Sequence, residues 1–180
     1  RSYNAGLLRA AAEVAPPGVT LELASIAGIP LYDADVEAAS GIPPLVTALK
    51  DRIAAADGLV LATPEYNNGI PGVFKNAIDW LSRPPADIPR VFGDRPVALI
   101  GATPGQGGTR LAQLAWLPVL HTLGMRVFSG KSLYVAGAGA LFDATGRLAD
   151  DRTRERLAAV VAGFARFAVG RAEDDTPLSR

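Results

Sequence analysis

The sequence predicts an α/β protein built on a parallel sheet. Short apolar runs at 58–62 and 97–100 have the length and aliphatic character of buried strands. The longer segments around them, such as residues 43–56, repeat apolar residues at helical spacing. Strands that alternate with helices are typical of a parallel sheet with helices packed on its faces.

The first third of the chain predicts two helices, one strand and one loop. Apolar residues at helical spacing indicate a helix over 7–12, which ends before the Pro-Pro-Gly run at 16–18. Residues 19–23 alternate as a half-buried strand does, and 27–41 has no period and predicts an irregular loop. In the helix predicted over 43–56, the apolar residues Leu45, Leu49 and Ile53 lie four apart.

The middle of the chain predicts two buried strands, each followed by a helix. After the strand 59–62, Pro71 suits the first position of a helix. The proline-rich segment 84–96 predicts a connection without regular structure, and it leads into the strand 97–100. The helix over about 109–123 is expected to bury four residues: Leu111, Leu114, Ala115 and Leu117.

The last third predicts one interrupted strand and a long helix. The strand covers 125–128 and continues at 132–135 after an interruption. Asp150 or Asp151 is expected to cap the final helix, which has apolar spacing up to residue 168. We therefore predict one domain over residues 1–169 and a polar, frayed tail over 170–180.

Composition narrows the classes of function. The 180 residues suffice for one domain, 49% of them are hydrophobic, and the net charge of zero gives no sign of nucleic-acid binding. There is no cysteine, which excludes disulfides and thiolate metal sites, and no metal-binding cluster is evident. No apolar run reaches the roughly 18 residues of a membrane span. A cytoplasmic protein that does not bind membranes is the expectation.

The loop after the strand 59–62 has the most informative chemistry. It reads Thr-Pro-Glu-Tyr-Asn-Asn-Gly-Ile-Pro at 63–71. Ligands of open α/β sheets bind outside the carboxyl ends of the strands, where this loop lies. Its amides, phenol, carboxylate and glycine suit a flat ligand with a hydrogen-bonding edge.

Two further segments could serve the same ligand. The loop 101–110 contains Gly105, Gly107 and Gly108, which let backbone N–H groups approach a ligand, although a tight turn alone would also explain them. It is not a dinucleotide-binding fingerprint, because Thr109 and Arg110 follow directly. Residues 2–4 precede a helix, whose N-terminus could bind phosphate or could simply be capped by Ser2 or Asn4.

These three segments together resemble the NADPH-dependent FMN reductases. The closest likeness is Pro-Glu-Tyr-Asn-Asn-Gly-Ile-Pro at 64–71 followed by Phe-Lys-Asn-Ala-Ile-Asp-Trp at 74–80. Ser-Tyr-Asn at 2–4 resembles the end of the family's phosphate loop. The segment 101–110 resembles its second flavin loop, which often ends Gly-Gly-x-Arg. The order and spacing fit over residues 1 to about 168.

The resemblance implies a flavodoxin-like, doubly wound, parallel five-stranded sheet that binds FMN. It implies NADPH or NADH as co-substrate and a ping-pong transfer of hydride to a quinone, free flavin, azo dye or metal oxyanion. A homodimer or homotetramer is expected, and the chemistry is left to the FMN rather than to a catalytic side chain. The implied FMN-binding residues are Ser2, Asn4, Pro64, Glu65, Tyr66, Asn67, Asn68, Gly69, Thr103, Gly105, Gln106, Gly107, Gly108 and Arg110.

Several of these residues also have simpler interpretations. Tyr66 could pack locally, Glu65 could be an exposed glutamate or pair with an arginine of a partner subunit, and Arg110 could be solvated. A cation in the first turn of a helix opposes the helix dipole, which favours a specific partner for Arg110. His121 and Trp80 are expected to be structural. A non-catalytic flavin-binding module or an electron carrier stays open as the alternative to an enzyme.

The resemblance also implies a difference at the start. The family pattern opens with a strand and Gly-Ser-x-Arg, and this sequence begins after that point. We therefore expect the first, central strand and the phosphate-binding arginine to be missing, as in a trimmed form of a longer protein. Such a form is expected to be less stable, because it exposes a sheet edge and loses core, and to retain FMN poorly, because part of the phosphate site is absent.

Overall fold

The computed structural model describes residues 2–170. Its parallel sheet has four strand segments, and seven α-helices surround it within this range. The strands are β1 (Leu59–Ala62), β2 (Pro96–Ala102), β3 (Arg126–Val127) and β4 (Leu133–Val135). The helices are α1 (Tyr3–Glu13), α2 (Ala34–Ser40), α3 (Pro44–Ala55), α4 (Gly72–Leu81), α5 (Ile88–Val91), α6 (Arg110–Thr122) and α7 (Asp151–Val169).

β2 is the central strand, and all its pairings are parallel. β1 lies along one side, with Leu59 opposite Val97. On the other side β3 pairs with the start of β2 and β4 with its end, where Ala102 lies opposite Val135. The predicted parallel sheet is confirmed, and β3 and β4 are the two parts of the interrupted strand.

Helices cover both faces of the sheet. On one face the core contains Trp80 from α4 and Trp116 from α6, both fully buried, together with residues of α3. On the other face Leu7 of α1 and Leu157 of α7 pack against Ile100, Leu133 and Val135 of the sheet. Two apolar layers of this kind explain why β2 is apolar throughout, as expected for a strand buried on both faces.

The predicted strand at 19–23 is wrong, because residues 19–26 form no strand. A strand requires a hydrogen-bonded neighbour, and within residues 2–170 the side of β1 that faces away from β2 pairs with no strand. An apolar cavity of about 740 Å³ lies there, between β1 and residues 18–26. Residues 2–170 thus contain three strand positions, because the strand predicted at 19–23 is not formed.

Two segments predicted as irregular contain short helices. The segment 27–41 includes α2, because the Asp33 carboxylate accepts a hydrogen bond from the Asp35 N–H at 2.8 Å and caps the helix. The proline-rich segment 84–96 contains a 3₁₀ turn at Pro85–Asp87 and then α5. Prolines fit here because they occupy first-turn positions, where the missing N–H has no helical partner.

The predicted buried face of α6 is also wrong. Leu111, Leu114 and Leu117 are 40–51% exposed, whereas the buried residues are Ala112, Gln113, Trp116 and Leu120. The prediction failed because Gln113 is polar and interrupts the apolar pattern of the true inner face. Its amide donates to the Leu133 carbonyl oxygen and to Thr109 Oγ1, both at 3.1 Å, so its burial is compensated.

The remaining predicted helices are present. α7 begins at Asp151, and the carboxylate of Asp150 caps it by accepting from the Thr153 N–H at 2.7 Å. Trp80 is a core residue, as expected. The tail predicted over 170–180 lies outside the described residues except for Gly170. Between residues 2 and 170, no helix has the length and apolarity needed to cross a bilayer.

Candidate functional site

Two loops leave the carboxyl ends of neighbouring parallel strands and lie side by side. The first, residues 63–70, follows β1, and the second, residues 103–109, follows β2. The Thr63 N–H still bonds to the Ile100 carbonyl at 2.9 Å, so the sheet holds the base of the first loop. Two residues further along, the Glu65 carboxylate accepts from the Ala112 N–H at 3.0 Å. The loops therefore form one surface at the edge of the sheet.

The tip of the first loop is a two-residue hairpin. Tyr66 and Gly69 exchange backbone hydrogen bonds of 3.2 and 3.0 Å around Asn67 and Asn68. Both asparagines have left-handed φ angles, 50° and 61°, as in a type I′ turn. Asparagine tolerates this conformation better than most residues, which explains the Asn-Asn pair. The turn leaves Tyr66 59% exposed.

The second loop packs closely against the sheet before it enters α6. A Cβ atom on Gly101 would lie 2.0 Å from Thr109 Oγ1 and 2.5 Å from the Thr63 carbonyl oxygen, so only glycine fits there. Thr109 is fully buried and has a left-handed φ of 64°, which is unusual for a β-branched residue. Thr63 Oγ1 accepts from the Trp116 indole at 3.1 Å. These contacts connect both loops to α6.

Four consecutive backbone N–H groups of the second loop, called the donor row below, lack a hydrogen-bond acceptor among the described residues. Within the described part of the chain, no acceptor bonds to the N–H groups of Gln106, Gly107, Gly108 or Thr109. Gln106 and Gly107 are exposed, so their N–H groups lie at the surface, whereas Gly108 and Thr109 are buried directly behind them. Consecutive N–H groups before a helix form an anion-binding or acceptor-binding concavity. This arrangement can hold a ligand edge that carries carbonyl groups or negative charge.

The start of α1 reaches the same edge. The Asn4 side chain is buried and pairs with the backbone of Ala102 through two hydrogen bonds of 2.9 Å, as a neighbouring strand would. Ser2 Oγ accepts from the Ala5 N–H at 3.2 Å and caps the helix. Asn4 therefore fixes the position of the helix terminus, and Ser2 takes the capping role that the sequence left open.

A third loop, which the sequence did not indicate, also belongs to the site. After β4, the N–H groups of Gly137 and Ala138 donate to the carbonyl oxygens of Gly105 and Thr103 at 3.1 and 3.0 Å. These bonds support the second loop from behind. The available signal was the Ala-Gly-Ala-Gly-Ala run at 136–140, which follows a predicted strand and therefore lies at the same edge of the sheet.

Arg110 and Tyr134 contact each other where the second loop ends and α6 begins. The Arg110 guanidinium lies 5.2 Å from the centroid of the Tyr134 ring, in cation–π geometry. Gly108 packs against Tyr134, since a Cβ on Gly108 would approach the tyrosine Cβ to 2.9 Å. The intramolecular contact gives Arg110 a partner and keeps its charge near the donor row. Arg110 is nevertheless exposed, so a solvated arginine stays an open alternative to a role at the ligand.

A second cavity of about 490 Å³ adjoins the start of α1. Ser2, Tyr3 and Asp143 line it, together with residues of the segment 139–146. Hydrogen bonds to Asp143 from the Thr145 hydroxyl and from backbone N–H groups hold the pKa of this carboxyl below its usual value. Asp143 is therefore ionised near neutral pH, and its charge is compensated by those donors.

Comparisons with known proteins agree with this geometry. The family model for NADPH-dependent FMN reductase matches residues 1–140. An NAD(P)H-dependent FMN reductase of Pseudomonas aeruginosa is 46% identical over 87% of this chain and 82% of its own. A 2-hydroxy-1,4-benzoquinone reductase of a Burkholderia species is 38% identical over 87% and 83%. A solved NAD(P)H:(acceptor) oxidoreductase of Paracoccus denitrificans superposes with a TM-score of 0.80 at 32% identity, over 92% and 88% of the two chains.

The fold and the match of sequence define an α/β flavoenzyme of flavodoxin-like architecture. The chain belongs to the NADPH-dependent FMN reductase family, and it is an oxidoreductase that uses FMN together with NAD(P)H. The predicted family, fold class, enzyme class and cofactors are confirmed.

The site geometry fits FMN. The unpaired donors at 106–109 suit the carbonyl groups of the flavin pyrimidine edge, and the exposed Tyr66 ring offers an aromatic surface. Two of the predicted ligands already have partners within the protein, because the Asn4 amide bonds to Ala102 on both sides and the Glu65 carboxylate accepts from the Ala112 N–H.

Proposed function

We propose that this protein transfers hydride from NAD(P)H, through bound FMN, to a quinone. The relatives named above include a benzoquinone reductase, and a plant NADPH:quinone oxidoreductase from Arabidopsis thaliana is 36% identical to this chain. A quinone is flat and has two carbonyl oxygens, which suits a site made of an aromatic ring and hydrogen-bond donors. Free flavin, azo dyes and metal oxyanions are further acceptors to be tested.

The row of unpaired N–H groups at 106–109 is the observation that carries the proposal. Bound FMN supplies the redox chemistry by accepting hydride from nicotinamide and passing it to the acceptor. Preorganised donors at the pyrimidine edge favour the negative charge that builds up on reduction. The protein therefore needs no acid–base pair, and its residues contribute orientation and electrostatics.

Specific roles follow from the positions of the residues. We assign the pyrimidine edge to Gln106, Gly107 and Gly108, and the phosphate to the start of α1 capped by Ser2. Tyr66, beside the turn of Asn67 and Asn68, would stack on the flavin. The same open face then receives nicotinamide and acceptor in succession. The nicotinamide leaves before the acceptor binds, which gives a ping-pong mechanism.

We also propose a homo-oligomer with the flavin site near its interface. The exposed leucines of α6, Leu111, Leu114 and Leu117, lie on the helix that begins at the second loop. Tyr66 and Val73, which are 59% and 64% exposed, add apolar surface at the first loop and α4. Apolar side chains clustered beside a functional site are typical of an interface. The proposed place of action is the cytoplasm.

Spectroscopy tests the redox proposal directly. The purified protein incubated with FMN should show a bound-flavin spectrum, which NADPH should bleach under anaerobic conditions and benzoquinone should restore. Initial rates at several fixed quinone concentrations should give parallel double-reciprocal lines. A yellow protein that neither nicotinamide reduces would contradict the proposal.

Two variants locate the flavin and the interface. Gly107→Val should weaken FMN binding at least tenfold by blocking access to the donor row, and Gly72→Ala, which lies in open space, serves as the matched control. Leu114→Glu should shift the mass measured by light scattering toward the monomer. Wild-type protein that is monomeric and fully active at micromolar concentration would rule out the interface proposal.

A further inference from the structure

Glu65 lies between the two site loops and contacts both. Its Oε2 atom accepts from the Ala112 N–H at 3.0 Å, across 47 positions of sequence. Its Oε1 atom faces the second loop, because a Cβ built on Gly107 would lie 3.3 Å from it. The side chain is half-buried, so water screens this carboxylate less than it screens a fully exposed one.

Helix α6 lacks a cap of its own. Its N-cap residue, Thr109, makes no capping hydrogen bond, and the Thr109 hydroxyl instead accepts from the Gln113 amide. The first turn of α6 carries no acidic residue and begins with the cation Arg110. A carboxylate at a helix N-terminus stabilises the helix through its hydrogen bond and through the dipole. Glu65, which belongs to the first loop, supplies the capping acceptor and the negative charge that α6 itself lacks.

Gly107 is explained by the same contact. Its φ angle does not lie in the left-handed region, and Glu65 Oε1 is the one atom of the described chain within 4 Å of a Cβ at this position. Neither backbone conformation nor core packing therefore requires a glycine at this position. The missing side chain lets the carboxylate approach the backbone whose N–H groups form the donor row.

We propose that Glu65 is a positioning residue that sets the distance between the two loops and lowers the reduction potential of the bound flavin. By capping α6 it orients the N–H groups of 106–109. Its negative charge lies beside these donors and partly offsets the positive end of the helix dipole, so it disfavours added charge on the flavin. The proposal rests on the flavin site proposed above, and it assigns Glu65 a role through the loops rather than through the ligand.

Two substitutions separate geometry from charge. Glu65→Gln keeps an oxygen that can accept from the Ala112 N–H but removes the charge. We expect oxidised FMN to bind within about threefold of wild type. The affinity for reduced FMN, relative to that for oxidised FMN, should increase about tenfold, which raises the reduction potential by roughly 30 mV for a two-electron couple. Glu65→Ala loses both effects and should bind oxidised FMN about 10- to 100-fold more weakly, in keeping with a charge-assisted hydrogen bond.

Flavin fluorescence titration measures the FMN affinity, and anaerobic potentiometry measures the reduction potential. Thermal unfolding without FMN measures how much the cap stabilises the protein. Glu155→Gln, an exposed glutamate on α7, is the matched control and should change none of them. Wild type that fails to bind FMN would contradict the proposed function. Wild type and Glu65→Ala that bind FMN alike, with equal melting temperatures, would contradict only the role of Glu65.

A double-mutant cycle tests the contact between Glu65 and Gly107. Gly107→Ala should weaken FMN binding about tenfold when Glu65 is present, because the new methyl group displaces the carboxylate. In the Glu65→Ala background the same change should cost less than threefold, since the crowded oxygen is gone. Equal losses in both backgrounds would show that the methyl group blocks the flavin itself, and they would overturn the proposed contact.

Discussion

The two loops of the site differ in what holds them. The loop 63–70 after β1 folds on its own residues, because its tip is a hairpin closed by Tyr66 and Gly69 with asparagines in the left-handed region. The loop 103–109 after β2 makes no such turn. Contacts with Gln113, Tyr134 and the backbone of Gly137 and Ala138 hold it, and all of these lie in other elements.

This difference separates local from tertiary determinants within one site. A self-contained turn can lie at the surface, and residues 66–68 are exposed. A loop held by its neighbours must be packed against them, and Thr109 is fully buried. Changes at the tip of the first loop, residues 66–69, should therefore act on the ligand with little effect on the fold, whereas changes in the second loop should act on both.

The largest effect is expected at Gly101. Gly101→Ala would place a methyl group 2.0 Å from Thr109 Oγ1 and 2.5 Å from a backbone oxygen that cannot move freely. We expect a loss of about 3 kcal/mol in the free energy of unfolding, measured by urea denaturation, together with weaker FMN binding. Gly72→Ala, with no atom in reach, should be close to neutral. A Gly101→Ala protein of wild-type stability would mean that the second loop is not held by packing.

The next effect is expected at Gln113. Gln113→Leu would leave the Leu133 carbonyl and Thr109 Oγ1 without their donor in a buried environment. The expected cost is about 1–3 kcal/mol by thermal or urea unfolding. Gln106→Leu, at an exposed position, should stay within about 0.5 kcal/mol of wild type. Equal effects of the two glutamine substitutions would contradict a buried network behind the loop.

A smaller effect is expected in the first loop. Asn68→Ala puts a residue that disfavours positive φ into the turn, at a cost of about 1 kcal/mol. Asn68→Gly should be tolerated, because glycine adopts this conformation freely. Hydrogen exchange of the Gly69 N–H should increase in the alanine variant alone. If the core strands exchanged faster as well, the first loop would not be the independent unit described here.

The smallest effect on stability is expected at Arg110. Arg110→Ala removes an exposed cation–π contact with Tyr134 and should cost about 0.5–1 kcal/mol. Arg110→Lys should recover part of this. FMN titration of both variants shows whether the cation also acts on the flavin. If it does, the loss of binding free energy for reduced FMN should exceed the loss in the free energy of unfolding. A loss of several kcal/mol would place Arg110 among the packed residues of the second loop.

The predictions from sequence succeeded where a short pattern decides the structure. The apolar run 59–62 and the Asp150 cap each act over a few residues, and the strand and the helix start are both present. They failed where a distant partner decides. Residues 19–23 have strand character but no strand beside them, and Leu114 belongs to an apolar pattern on α6 that faces outward.

The same distinction applies to the candidate site. The sequence by itself determined which residues are at the carboxyl ends of β1 and β2, because strand period and loop chemistry are local properties. Only the tertiary structure decided that Asn4 bonds to Ala102, that Arg110 lies over Tyr134 and that Glu65 caps a helix 47 positions away. A polar side chain can satisfy its hydrogen bonds with any group that the fold brings within about 3 Å. Its residue type therefore indicates what it can bind, and its partner depends on the packing of the whole sheet.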